Sequence, residues 1–347
     1  MKKKGKNIVV CCDGTWKRAD DKHPSNVFKM YERVDQRTAA GQVAYHDDGV
    51  GAKRNIFDKF FGGAFGLGLS KNIREAYEFV VDNYQPGDRL YLLGFSRGAF
   101  TVRSLAGMIR NCGVLQDNDR DLIKRAFKLY RSQKPEDHPN GVDAITFRKE
   151  HCHAAPSDND HPRVPDIQFI GVFDTVGALG NPLWTNAPSS FRTKFHDTSL
   201  SSIVKTGCHA VAVDEHRWNF RACLWDQPLS KAKRQNLYQV WFPGAHSNVG
   251  GGYPDSSLSD LTLAWMMKKA QRFGLTFTES IPTPDWDAFM GTLPEDSWEG
   301  TIYDIMPRYF RPVRLGKTTR DMIHPCTRAK FKKGAAYRPK NLVPPLG

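Results

Sequence analysis

The sequence predicts an α/β fold, a mostly parallel central sheet flanked by helices. Apolar strand-length runs stand at Asn7–Cys12, Leu90–Leu93, Ile167–Phe173 and Leu237–Pro243. Helical spacing of apolar residues lies between them, as at Phe100, Leu105, Met108 and Ile109. The run at Leu90 enters that helix through Gly94-Phe95-Ser96-Arg97-Gly98. This is a G-x-S-x-G pattern at a strand-to-helix turn, the setting in which a serine hydroxyl is projected from a sheet edge. The flanking glycines suit a sharp turn with crowded neighbours.

Bulk properties agree with that class. The 347 residues admit one large α/β domain or two small ones, and 40% apolar with 25% charged residues fits a soluble globular chain. No run approaches the ~20 apolar residues of a membrane span. Ile8–Cys12 is too short for a signal-peptide core. Seven cysteines without framework spacing point to reduced thiols. A cytoplasmic chain is expected, with non-Sec export left open. The net charge of +13 admits nucleic acid, an anionic membrane or an acidic substrate. No zinc-finger or RNP-type motif accompanies it, so no nucleic-acid partner is expected. A peripheral contact with an anionic membrane stays open, and the densest basic stretch is Arg328–Lys340.

Taken in order, the first strand leads into Asp13-Gly14-Thr15-Trp16. Such a loop either supplies a backbone N–H from Gly14 or Thr15 to an oxyanion, beside that of Arg97, or is a turn closed by its Asp. Val43–Tyr45 is a short second strand, followed by a polar turn from His46 to Gly51. Phe57–Leu69 alternates Phe and Gly without the ending of a phosphate loop, and reads as an apolar flap or a loop tucked on the core. Ser70 then caps a helix from Lys71 to Tyr84. Gln133–Pro165 is polar and breaker-rich, an exposed insertion. Its His138, His151, Cys152, His153 and His161 lack chelating spacing, so no metal is expected.

The strand at Ile167 ends in Asp174, a position suited to orienting a histidine. His209–Arg217 reads as a helix. It carries a rival acid, Asp214, and an Arg217 that suggests ion pairing. The strand at Leu237 leads into the glycine-rich Gly244–Gly252, which contains His246, a candidate general base. The order Ser96, Asp174, His246 is that of the α/β-hydrolases. One more helix spans Leu261–Phe273. Residues 276–347 are rich in Pro, Trp and basic residues and read as a covering or lid segment on a catalytic unit of residues 1–275.

Together Asp13–Trp16, Gly94–Ala99, Phe173–Val176, Asp214–Arg217 and Gly244–Gly252 resemble the uncharacterised α/β-hydrolase domain family. That family also forms the catalytic part of type VI secretion phospholipase effectors of the first lipase class. The resemblance implies a serine ester hydrolase, with phospholipids as substrates. Ser96 would be nucleophile, Asp174 acid and His246 base, with no cofactor. Two departures stand out. The family's glycine loop often carries Asp two residues after the histidine, where this chain has Asn248. The extra membrane-binding modules of the secreted effectors are not expected, so export and toxicity are not carried over. A small-molecule esterase or thioesterase, or a non-catalytic binder on a hydrolase fold, are the alternatives.

Overall fold

The computed structural model describes residues 5–14, 22–49, 64–154, 163–177, 199–226, 235–299, 307–313, 315, 320–333 and 336–342. Its strands are β1 (Asn7–Cys12), β2 (Gln42–Asp47), β3 (Arg89–Phe95), β4 (Ile167–Phe173), β5 (Thr206–Ala212), β6 (Asn236–Phe242) and β7 (Arg320–Ile323). They form one sheet in the order β2-β1-β3-β4-β5-β6-β7, every neighbouring pair parallel. Parallel strands need crossovers, and helices on both faces bury the sheet, which favours continuous apolar runs. The chain is α/β-hydrolase-like.

Alternation along β1 sorts side chains into two cores. Ile8, Val10 and Cys12 pack with α2 (Ala64–Asn83) and α3 (Ser96–Cys112). Val9 and Cys11 pack on the other face with α1 (Asn26–Arg33) and α7 (Ser257–Arg272). The sequence order reverses at β1, which lies between β2 and β3. Such a switch point opens a crevice beyond the carboxyl ends of the strands. Cys12 is level with Gly94, and Phe95 with Phe173, so Asp13, Ser96 and Asp174 follow strands that end together.

Three expectations change. His209 lies in strand β5, not a helix. All seven residues of β5 are buried, and a run buried on both faces carries no period to distinguish strand from helix. Helix α2 begins at Ala64, so Ser70 lies inside it and does not cap it. Residues 57–63 of the Phe/Gly stretch fall outside the described residues, and Leu69 is buried in the α2 core. The segment from Gln133, which follows α4 (Arg120–Arg131), is not simply an exposed insertion, for it contains α5 (Val142–His151), with Ala144, Phe147 and Arg148 buried. The Arg148 guanidinium donates to Asn111 O at 2.7 Å and Pro139 O at 2.8 Å, which makes burial of that charge tolerable.

Beyond residue 275 the chain continues the sheet. β7 pairs with β6 from Tyr238↔Arg320 to Trp241↔Ile323. Two further helices, α8 (Trp286–Gly291) and α9 (Pro325–Lys333), flank it in sequence.

The first turn of α3 lies directly on the end of β1. A Cβ on Gly98 would stand 2.0 Å from Cys12 O, a backbone atom that cannot swing away. Gly98→Ala is therefore expected to cost about 1–3 kcal/mol of stability. Urea unfolding checks this, and an unchanged midpoint would contradict the packing.

Candidate active site

Ser96 opens α3 directly after β3 with φ of 57°, a left-handed backbone that a non-glycine residue adopts only where its surroundings impose it. The close approach of Gly98 to β1 and of Gly94 to Ala99 supplies that constraint. Ser96 is 7% exposed, at the N-terminal end of a 17-residue helix whose dipole favours negative charge there. Arg97 is the second residue of α3, and first-turn amides point out of a helix's N-terminal end.

Asp174 follows β4 directly, fully buried, with φ of 38°. His246 opens the short helix α6 (His246–Gly250) just after β6. Its Nδ1 lies 2.6 Å from Asp174 Oδ2. An N–H on Nδ1 donating to the carboxylate leaves Nε2 as the basic nitrogen. The imidazole packs between Phe95, at 4.6 Å between ring centroids, and Phe220, at 5.0 Å. Phe95 immediately precedes Ser96, so the histidine is held against the elbow that carries the serine.

A buried carboxylate needs partners, and Asp174 has several. Its Oδ1 accepts from Ala212 N–H at 3.0 Å and from Arg311 Nη1 at 2.6 Å, while Arg311 Nη2 reaches Oδ2 at 3.0 Å. Arg311 is 1% exposed and is anchored on the carbonyls of Ala212 and Phe220. Burial alone would raise the Asp174 carboxyl. The Arg311 charge and the His246 hydrogen bond outweigh it and hold the group well below the usual carboxylate range. Burial lowers His246, against the pull of Asp174, so the imidazole is neutral at pH 7.

Behind Asp174 stands His209, also fully buried. Its Nε2 accepts from Thr175 N–H at 3.1 Å and its Nδ1 meets Gln239 Oε1 at 3.1 Å, as a neutral imidazole does. Burial pushes it down to about 3, so it stays neutral and fixes the turn after the acid.

Asp214 stands elsewhere. It accepts from Gly244 N–H at 2.7 Å and from the Tyr337 hydroxyl at 2.9 Å, and burial raises it to about 6. Its neighbour Glu215 is in direct contact with His246. Glu215 Oε2 accepts from His246 N–H at 3.2 Å and from Ser297 Oγ at 3.0 Å, and its carboxylate takes a bidentate grip from Arg217. Asn248 Oδ1 accepts from the backbone N–H of Ala245 and of Glu295, each at 3.0 Å. It thereby closes the first turn of α6 as a carboxylate at that position would.

On the β1 side, Asp13 closes its own turn. Its Oδ1 accepts from Gly14 N–H at 2.7 Å and its Oδ2 from Ser25 Oγ at 2.5 Å. The Gly14 N–H is therefore committed to Asp13 and is not aimed at an oxyanion, although a Cβ on Gly14 would stand 3.1 Å from Ser96 Cβ. Thr15 lies outside the described residues.

The sequence reading missed Arg311 and Glu215. Glu215 had a local sign in the Asp214–Arg217 run. Arg311 had none, being one basic residue in a basic segment. Among the described residues no group of three or more His, Cys, Asp and Glu side chains is arranged to hold a metal ion. A cavity of about 380 Å³ bordered by Arg103, Tyr130 and Trp225 includes none of Ser96, Asp174 or His246.

Comparison with known proteins gives a family. The model described as "T6SS, Phospholipase effector Tle1-like, catalytic domain" matches residues 6–269. The uncharacterized protein YEL023C of Saccharomyces cerevisiae is 29% identical over 243 residues, which are 65% of this chain and 33% of that protein. The chain thus spans about a third of that relative's length. An uncharacterized protein from Pseudomonas aeruginosa aligns at TM-score 0.46 and 19% identity, covering 82% of this chain and 48% of that one. Thermogutta terrifontis esterase 2, phosphoramylated by tabun, aligns at TM-score 0.38 and 12% identity, covering 80% and 86%.

The burial of His246 has a direct readout. Its ring is expected to titrate below 6.5 when followed by NMR, because burial disfavours the imidazolium. A midpoint above 7 would contradict the described environment.

Proposed function

The chain belongs to the Tle1-like phospholipase effector catalytic-domain family, and on that premise we propose that it is a serine ester hydrolase acting on phospholipid acyl esters. The observation that carries the reading is the 2.6 Å contact of His246 with Asp174, beside a serine held at φ 57°.

In this scheme Ser96 Oγ attacks the ester carbonyl as His246 Nε2 takes its proton. Asp174 holds the imidazole tautomer and supports the imidazolium. The oxyanion forms in front of the α3 N-terminus, where the Arg97 N–H and the helix dipole favour it. One such donor is typically worth ~3 kcal/mol. Thr15 N–H remains the proposed second donor, with Gly14 withdrawn. The imidazolium returns its proton to the leaving alcohol. Water, deprotonated by His246, then cleaves the acyl-enzyme. No step calls on a cofactor.

The net charge of +13 favours approach to an anionic bilayer. All seven cysteines are free, which supports a reducing compartment as the place of action. Among the described residues no helix is long and apolar enough to cross a membrane.

Lipid mass spectrometry on mixed phospholipid vesicles tests the substrate. Wild type is expected to release fatty acid and lysolipid, and Ser96→Ala, still folded, to release neither. Hydrolysis by folded Ser96→Ala would end the scheme. Unchanged lipids with a serine phosphonate bound at Ser96 would replace phospholipids by a smaller ester or thioester. No labelling at all would leave a binding protein on a hydrolase fold.

A second comparison tests the acid. Asp174→Asn is expected to lower kcat/KM roughly a thousand-fold or more, because the histidine loses its orienting acceptor. Asp214→Asn, which touches Gly244 and Tyr337 but not the imidazole, is expected to stay within roughly ten-fold of wild type. The reverse ranking would move the acid to Asp214.

A further inference from the structure

We propose that Arg311 is a positioning residue for this chemistry, carried to Asp174 by a strap that lies beyond the family-matching segment. The inference rests on the serine-hydrolase reading above. It assigns residues 307–313, and the residues 337–342 that fasten them, a part in the reaction itself.

The strap is fastened at several points around the carboxyl ends of β5 and β6. Tyr309 N–H donates to His216 O at 2.8 Å. Asn341 Nδ2 donates to Val213 O at 3.0 Å and to Arg311 O at 3.1 Å, fixing the backbone that carries the guanidinium. Tyr337 donates to Asp214, and Leu342 is buried with Val211, Val213, Trp241 and Ile323. Arg311 is thus fastened on both sides, by the Tyr309 backbone before it and by Tyr337, Asn341 and the buried Leu342 after it.

The guanidinium does two separable things. Its planar fork spans both Asp174 oxygens and sets the rotation of the carboxylate, so that Oδ2 faces His246 Nδ1. Its charge lowers the proton affinity of Asp174, and so that of the coupled Asp174–His246 pair. The groups to consider around this pair are few. Asp174 is faced by Arg311 from the strap, His246 from α6 and His209 from β5, with Cys223 and Arg103 nearby. His246 is faced by Asp174, Glu215 and Arg217. Of these, Arg311 alone contacts both Asp174 oxygens with a full positive charge. Removing it raises the proton affinity of both members of the coupled pair, so the acid limb of reactivity moves to higher pH whichever group reports it.

A fluorophosphonate probe separates the two effects without knowledge of the natural substrate. Ser96 Oγ bonds to phosphorus, the P–F bond breaks, fluoride leaves, and His246 Nε2 takes the serine proton. The full-length wild type, Arg311→Met and Arg311→Lys are compared by second-order labelling rate from about pH 4.5 to 8.5, a range that brackets an ordinary histidine. Thermal melting scores the folded fraction. Arg311→Lys keeps the charge and loses the fork, so it is expected to label roughly ten-fold more slowly with its limb within about 0.3 unit of wild type. Arg311→Met loses both, so its labelling is expected to slow roughly a hundred-fold and its limb to rise by roughly one unit. Wild-type rates per folded molecule, with unmoved limbs in both variants, would reduce Arg311 to a stabilising residue and overturn the inference. Should Arg311→Met not fold, Arg311→Lys decides alone. Slower labelling per folded molecule supports the role, and an unchanged rate overturns it. A wild type that takes no label at Ser96 would fail the hydrolase reading itself, a result distinct from the other outcomes.

Discussion

The site depends on burying the charge of Asp174. A carboxylate removed from water loses its hydration, and removing one partner from such a buried pair typically costs about 3–5 kcal/mol. Here the loss is met from several directions at once. Ala212 N–H, the Arg311 fork and His246 Nδ1 converge on the two oxygens. Each comes from a different part of the chain: the end of β5, the strap, and the start of α6. The fold cannot place Asp174 without bringing these segments together, and bringing them together orients the histidine. Local strain at Asp174, with φ of 38°, is borne by the same contacts.

A second set of constraints acts on the backbone near the serine. Gly94, Gly98 and Gly250 each lie where a side chain would meet another segment: Ala99, Cys12 O and the Phe95 ring, respectively. β1, the elbow and α6 are therefore stacked at backbone contact distance. Glu215, fully buried and paired with Arg217, fixes the first N–H of α6. The imidazole is held by its ring contacts, by its backbone and by its Nδ1, which leaves Nε2 as the ring nitrogen turned away from Asp174.

Much of this was readable in the sequence because it is local. An apolar run followed by G-x-S-x-G announces β3 and the turn into α3, and the runs ending at Asp174 and before His246 announce β4 and β6. What escaped was not local. β5 is buried on both faces and carries no alternation, so His209–Arg217 read as a helix. β7 is a four-residue edge strand inside a segment rich in basic residues and proline. Arg311 meets Asp174 across 137 positions of sequence, and nothing in its neighbours distinguishes it from the other arginines. The Gly14 amide looked available because the competing acceptor, the side chain of Asp13, becomes one only once the turn has closed.

The last strand has a consequence for how the chain can be divided. The family match ends at residue 269, before β7. A fragment cut there keeps β1 to β6 but uncovers the flank of β6, a strand carrying Leu237, Val240, Trp241 and Phe242. An apolar strand with unpaired amides and carbonyls along one side is a template for joining sheets from separate molecules. β7 covers that flank from Tyr238 to Trp241, so the end of the family segment falls inside the sheet and not at its edge.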